Sequence, residues 1–238
     1  MEQDLLLSRA MCVIAEHEYL GEELVFRGGT ALHKLHLVTG YRYSEDLDYV
    51  RRTQGGIKPL MAALTEAGQG LGFEVRTRVS EHPKVFWRAV SDSGVPLRLK
   101  IEVNTHERSP ARALQRLEHS VDSEWWTGSA KILTFHPAEL VATKIRALYQ
   151  RSKGRDLFDL WLALTEMALL PDEILASVGP YRPDGLTSAQ AIANLRRKVG
   201  DPTFATDLDR LLVTVPAGYS VPDAAEAVIE LLLARLDD

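Results

Sequence analysis

Apolar positions between residues 4 and 20 recur at helical spacing, through Leu6, Ala10, Val13, Ile14 and on to His17, with Asp4 placed to cap the start. The run Glu23-Leu24-Val25-Phe26-Arg27 reads as a short buried strand, halted by Gly28-Gly29. Thr30 then opens a helix over 31–38 that stops at Gly40. Extended structure resumes at 47–50, and 57–70 reads as a helix after the Gly55-Gly56 break. Two strand-like runs follow at 73–79 and 85–90, and Ser91-Asp92-Ser93-Gly94 signals a hairpin turn. Beyond it the alternation over 97–103 is strict. Leu97, Leu99, Ile101 and Val103 occupy one face, and Arg98, Lys100, Glu102 and Asn104 the other. After a last extended run at 132–135 the period becomes helical, over 137–150, 155–168, 171–178, 187–198, 204–212 and 222–236, punctuated by prolines.

A mixed first half followed by an all-helical second half predicts an α+β protein. The expected division is an α/β domain over 1–135, a mixed sheet with flanking helices, and a helical domain over 136–238.

Charge narrows the function. Lys and Arg total 28 against 33 Asp and Glu, a net of -5 over 238 residues, which disfavours a protein that holds nucleic acid by bulk positive charge. The cations are not evenly spread, however. Lys144, Arg146, Arg151, Lys153 and Arg155 follow one another without an intervening acid. Arg196-Arg197-Lys198 and the series Arg108, Arg112, Arg116 form further clusters. Either these are solvated faces or they form a local track for one nucleic-acid end. The single cysteine, Cys12, excludes an internal disulfide and a cysteine-rich zinc site. His33, His36, His106 and His136 lack zinc-ligand spacing. No apolar run approaches the ~20 residues of a membrane span, and the acidic start Met-Glu-Gln-Asp does not read as an export signal. The expected location is the cytoplasm.

Chemistry concentrates in two stretches. In the first, Val25-Phe26-Arg27-Gly28-Gly29-Thr30-Ala31-Leu32, a strand runs through two glycines into a helix. Backbone N–H groups there can approach an anion closely, the helix start adds partial positive charge, and the Thr30 hydroxyl adds a donor. Strand–Gly–Gly–helix is also a common structural turn. The second stretch is Arg42-Tyr43-Ser44-Glu45-Asp46-Leu47-Asp48-Tyr49. On a strand Asp46 and Asp48 point the same way, and such a pair repels unless a divalent cation lies between. Oxygen-only ligands suit Mg²⁺, held by one or two carboxylates and substrate phosphates. The alternative is a solvated strand end. Glu102, on the polar face of the strongest strand, is either a third carboxylate of the metal site or part of an exposed face.

These residues resemble the signature of nucleotidyltransferases of the polymerase-β type. The form Phe-Arg-Gly-Gly-Thr-Ala-Leu, then Arg-Tyr-Ser-Glu-Asp-Leu-Asp-Tyr, is more particular and resembles the AbiEii/AbiGii-type toxins, including the mycobacterial MenT-type toxins. Two later strings match the same resemblance in order, Glu139-Leu140-Val141-Ala142-Thr143-Lys144 and Arg155-Asp156-Leu157-Phe158-Asp159-Leu160, so it spans residues 26 to about 160. It implies a nucleotidyltransferase fold followed by a helical domain that contributes to the active site. It implies Mg²⁺ on Asp46, Asp48 and Glu102, and an NTP held by Gly28, Gly29, Thr30, Lys144 and Arg155. It also implies catalytic roles for Asp46, Asp48, Lys144 and one acid of the helical motif, either Asp156 or Asp159; Asp159 is preferred, which leaves Asp156 as an N-cap or an arginine partner. The implied activity is that of a toxin in a toxin–antitoxin or phage-defence pair, moving a nucleotide from an NTP to RNA, tRNA foremost, with release of pyrophosphate. A separately encoded antitoxin would be its partner. A small-molecule or protein acceptor, or a nucleotide-binding regulator without turnover, are the alternatives.

Overall fold

A computed structural model describes residues 2–37, 39–44, 46–91 and 93–237. The expected helix end at Val38, the motif residue Glu45 and Asp92 of the expected turn lie outside them. The chain divides into two compact units, one of residues 1–35 and 44–135, the other of residues 36–43 and 136–238. The short segment 36–43 therefore leaves the first unit and packs with the helices.

The first unit begins with helices α1 (Glu2–Glu16) and α2 (Leu20–Glu23). Strand β1 (Leu24–Arg27) runs directly into α3 (Gly28–Leu35), so Gly28, Gly29 and Thr30 form the helix's first turn rather than a loop before it. Then come β2 (Asp46–Arg51), α4 (Lys58–Gly70), β3 (Glu74–Arg78), β4 (Lys84–Val90) and β5 (Pro96–Asn104). A second hairpin, β6 (Gln115–Asp122) and β7 (Thr127–Thr134), completes the unit. The strands form one mixed sheet in the order β3-β4-β5-β2-β1-β7-β6. The pairs β2–β5 and β1–β7 are parallel, and the rest are antiparallel.

At its centre one face of this sheet is buried throughout, while the other buries Val25 and Val50 and leaves its charged residues partly exposed. Phe26, Leu47, Tyr49, Leu99, Ile101 and Val103 are buried. The rings of Phe26 and Tyr49 lie 5.1 Å apart, and burial, with a smaller contribution from Cys12 of α1, pushes the Tyr49 hydroxyl above the usual tyrosine range. The alternate residues Asp46, Asp48, Lys100 and Glu102 fall on the opposite face. Trp87, wholly buried, donates its indole N–H to the Leu64 carbonyl at 3.1 Å and ties α4 to the sheet.

The second unit contains α5 (Pro137–Gln150), α6 (Gly154–Thr165), α7 (Pro171–Leu175), α8 (Ser188–Val199), α9 (Pro202–Ala205) and α10 (Val221–Leu231). The start of α8 carries a capping box between Thr187 and Gln190. Lys198 is buried, and its Nζ donates to the carbonyls of Leu148, Tyr149 (2.9 Å) and Arg151 (3.0 Å), satisfying the C-terminal end of α5. Segment 36–43 is fastened here by the Arg42–Leu212 bridge and by the Tyr43 N–H to the Leu211 carbonyl at 2.8 Å.

Three differences from the sequence reading have physical causes. Strand β6 is not among the expected strands: Leu117, His119 and Val121 alternate with exposed Arg116, Glu118, Ser120 and Asp122, but at the sheet edge only His119 is buried and only two of the inward positions are apolar. The helix expected over 204–212 is a four-residue helix and a following 3₁₀ turn, Thr206–Leu208. Helix α6 stops at Thr165, and Ala168 beyond it takes a left-handed backbone (φ 49°) that no helix continues through.

Gly154, first residue of α6, is where that helix meets another backbone. A Cβ there would lie 2.2 Å from the Phe204 carbonyl oxygen, which cannot retreat as a side-chain tip would. Gly154→Ala should therefore destabilise the protein by about 1–3 kcal/mol, the range for overpacking. Urea unfolding should show a lower midpoint with unchanged slope.

Candidate functional site

The register of three central strands builds the candidate site. Antiparallel pairing sets Arg27 of β1 opposite Asp48 of β2, and parallel pairing sets Asp48 opposite Glu102 and Asp46 opposite Lys100 of β5. Arg27, Asp46, Asp48, Lys100 and Glu102 thus share one sheet face. Lys100 Nζ lies 2.7 Å from Asp46 and 3.3 Å from Glu102, and Lys84 Nζ lies 3.3 Å from Glu102. Arg27 pairs with Glu107.

The Asp48 carboxyl is held above the usual carboxylate range. Burial is the first cause, followed by the negative charge of Asp46, with Glu102 adding to it and Arg27 and Lys100 working against it. Burial alone would lower the Lys100 ammonium, but its hydrogen bond to Asp46 and the charges of all three acids hold it above the usual lysine range. Lys100 is therefore a built-in counter-charge among crowded carboxylates.

Gly28 is fitted to this pair. Its φ is +81°, a left-handed backbone that favours glycine, and a Cβ there would lie 2.6 Å from Asp48 Oδ2. The start of α3 thereby sits against the carboxylate, with the first-turn N–H groups of Gly28, Gly29 and Thr30 lacking helical acceptors. The Thr30 side chain is otherwise employed. Its hydroxyl donates to the Asp46 carbonyl at 2.6 Å and meets the Ser44 hydroxyl, so Thr30 has its backbone N–H to offer an anion. It anchors the helix start to the beginning of β2.

The donor set fits Mg²⁺ in part. Asp46 and Asp48 supply hard oxygen ligands on one face, and the repulsion that raises Asp48 is what a cation relieves. Among the described residues no three His, Cys, Asp or Glu side chains form a ready cation cage. Two carboxylates completed by ligand phosphates is the usual Mg²⁺ arrangement. Glu102, which the sequence reading assigns to the metal, is engaged by Lys84 and Lys100.

The remaining candidates lie in the helical unit, where Lys144 is buried rather than exposed. Its Nζ contacts Asp159 at 2.7 Å and Asp156 at 3.1 Å. Arg42 forms a two-pronged pair with Asp159 at 2.9 and 2.8 Å, and Arg151 does the same with Asp156 at 2.7 and 2.8 Å. The two aspartates thus converge on one lysine, each backed by an arginine. Burial pushes the Asp156 carboxyl up, but Lys144 and Arg151 together outweigh it and hold it below the usual range. Arg155, one residue earlier, donates its backbone N–H to Asp207 at 3.3 Å.

The family model described as nucleotidyl transferase AbiEii toxin, type IV toxin–antitoxin system, matches residues 9–230. The chain belongs to the AbiEii toxin family. Such a system implies an antitoxin as partner. No curated protein matches the sequence. Among solved structures, JHP933 from Helicobacter pylori is similar at 16% identity and a TM-score of 0.58, over 99% of this chain and 93% of that one. MenT4, a nucleotidyltransferase toxin from Mycobacterium tuberculosis, is similar at 19% identity and a TM-score of 0.52, over 99% and 92%. At these identities the likeness concerns the fold, which is the nucleotidyltransferase-like α+β fold. Among the described residues of this AbiEii-family chain, no helix is long and apolar enough to cross a membrane.

Sequence reasoning did not single out Lys100, Arg27 or Arg42 as members of these clusters. Lys100 was open to discovery, because it lies two residues from Glu102 on the same strand face. Arg42 was not, because its partner is 117 residues away.

Two predictions follow from the opposed shifts. A raised carboxyl contributes stability below its unfolded value, lost as pH rises through the folded value. Asp48→Asn should therefore melt higher than the wild type in metal-free buffer at neutral pH, with the gap closing in acid. Added Mg²⁺ should raise the wild-type melting temperature and leave the variant's unchanged. For Asp156 the sign reverses. Its lowered carboxyl contributes stability above the ordinary value of 3.8, lost as pH falls through the folded value. Asp156→Asn should be less stable at neutral pH and show a flatter loss below about pH 4, measured by urea unfolding across pH.

Proposed function

We propose that this chain is a Mg²⁺-dependent nucleotidyltransferase toxin that transfers a nucleotide from an NTP to an RNA acceptor, the tRNA 3′ end foremost, with release of pyrophosphate. The observation that carries this reading is the strand register that sets Asp48 beside Asp46, opposite Glu102 and against the start of α3. Carboxylates, an anion-binding helix start and an internal lysine on one face are the parts that phosphoryl transfer requires.

Each residue has work of its own in this scheme. Gly28, Gly29 and Thr30 present backbone N–H groups to the phosphates and stabilise the charge on the departing pyrophosphate. Asp46 and Asp48 would hold Mg²⁺ together with phosphate oxygens. When bound, the ion supplies charge neutralisation at the reacting phosphate. The bond formed joins the acceptor oxygen to the α-phosphorus, and the bond broken is that to pyrophosphate. Glu102 is the carboxylate in place to take the hydroxyl proton, steadied by Lys84 and Lys100. The family resemblance assigns Lys144, Arg155 and Asp159 to nucleotide handling and catalysis, and a cognate antitoxin and a cytoplasmic location complete the proposal.

Purified protein incubated with each labelled NTP, Mg²⁺ and total tRNA should label RNA. Asp48→Ala should lower the rate at least 10²-fold, as loss of a key electrostatic group does. Label appearing only on a small hydroxylated compound or on protein would replace the RNA acceptor. Nucleotide binding with no transfer to any acceptor would replace the enzyme with a regulator.

A further inference from the structure

Most of the basic residues noted in the sequence have internal partners. Lys144 and Arg151 serve Asp156 and Asp159, Lys198 serves backbone carbonyls, Lys153 faces Asp207, and Arg116 pairs with Glu22. Arg108 differs. It lies in the irregular stretch between β5 and β6, and among the described residues it has no carboxylate partner. Its Nε is buried with no hydrogen-bond acceptor, although a guanidinium nitrogen ordinarily has one.

Arg108 lines a cleft of about 230 Å³ whose apolar walls include Val25, Val50, Leu114 and Phe135, with Arg52 at its edge. Arg52 is already engaged, with the Glu22 carbonyl at 2.7 Å. The position of the cleft is set by register. Val25 and Val50 are paired opposite each other, as Arg27 and Asp48 are, so all four point to the same sheet face. Two residues along a strand is about 6.6 Å, so the cleft floor begins that far from Asp48. Gly28 and the start of α3 continue β1 in the other direction. Along β1, then, the order is cleft, carboxylate pair, anion-binding turn.

That order has a chemical consequence. In an in-line displacement the attacking oxygen enters opposite the leaving group. With the pyrophosphate at the α3 turn, the acceptor arrives from the side of the cleft. We infer that this cleft is the acceptor subsite, where a terminal RNA nucleotide places its base against Val25, Val50, Leu114 and Phe135 and its phosphate on Arg108. This inference rests on the reading of the chain as a transferase acting on RNA. Charge complementarity selects the occupant, because a guanidinium with a buried, unsatisfied Nε and no carboxylate partner among the described residues, beside apolar walls, suits a phosphate joined to a base.

The test is fluorescence anisotropy of a short fluorescein-labelled single-stranded RNA with a free 3′ hydroxyl, over a salt series, beside NTP binding by calorimetry. Arg108→Ala should weaken RNA binding about tenfold, as loss of one charge-assisted hydrogen bond does. The slope of log affinity against log salt should become shallower by about 0.7, the value for one phosphate contact on a single strand. Arg108→Lys should keep the slope, and NTP binding should be unchanged in both. Unchanged RNA affinity in Arg108→Ala, weakened NTP binding instead, or a wild type that does not bind the RNA would each overturn the subsite. A wild type that binds RNA through Arg108 and yet transfers nothing would leave the subsite standing and reject the enzymatic reading.

Discussion

The pairing of β2 between β1 and β5 is the constraint on which the rest of the first unit depends. Because β2 runs antiparallel to one neighbour and parallel to the other, Asp48 is flanked by Arg27 on one side and Glu102 on the other. A slip of one residue in β2 would send Asp46 and Asp48 toward α1 and expose Leu47 and Tyr49. The hydrophobic effect therefore enforces the position of the carboxylates indirectly. Leu47, wholly buried, holds the two acids on the open face. The glycine turn depends on the same register, since Gly28 fits against Asp48 only while Arg27 stays opposite it.

This arrangement works against stability. Three carboxylates crowd one face, and Asp48 has its proton affinity raised by burial and by its acidic neighbours. Lys100 offsets part of that repulsion from within the strand. It touches Asp46 and Glu102 at once, and among the described residues no lysine is bonded to Asp48.

The legible and illegible parts of the molecule separate by range. Alternation over 97–103 and the Asp46–Asp48 spacing are properties of adjacent residues, so the strands and the shared face could be read directly. The α+β class followed from the same periodicities and agrees with the nucleotidyltransferase-like structures. Strand β6 was missed because its alternation is weak: of the inward positions Leu117, His119 and Val121 only two are apolar, as suits an edge strand that buries only His119. Thr30 read as a phosphate donor because its hydroxyl sits at a helix start. What the sequence does not show is the Asp46 carbonyl, 16 residues on, that takes that proton. Lys144 was assigned from the motif string alone, since only the third dimension brings Asp156 and Asp159 against it.

The net charge of -5 does not describe what a nucleic acid would meet. In the helical unit Arg42, Lys144 and Arg151 face Asp156 and Asp159, three cations against two anions, and are spent on holding buried groups together. Arg51 is likewise paired with Glu23 inside the first unit. Cations consumed as internal partners contribute little to a surface field, so the basic clusters of the sequence overstate the protein's general affinity for RNA. A toxin with this charge distribution would gain little from binding RNA everywhere. Its selectivity would have to come from the few cations that lack an acid of their own, placed where the strand register already directs the chemistry.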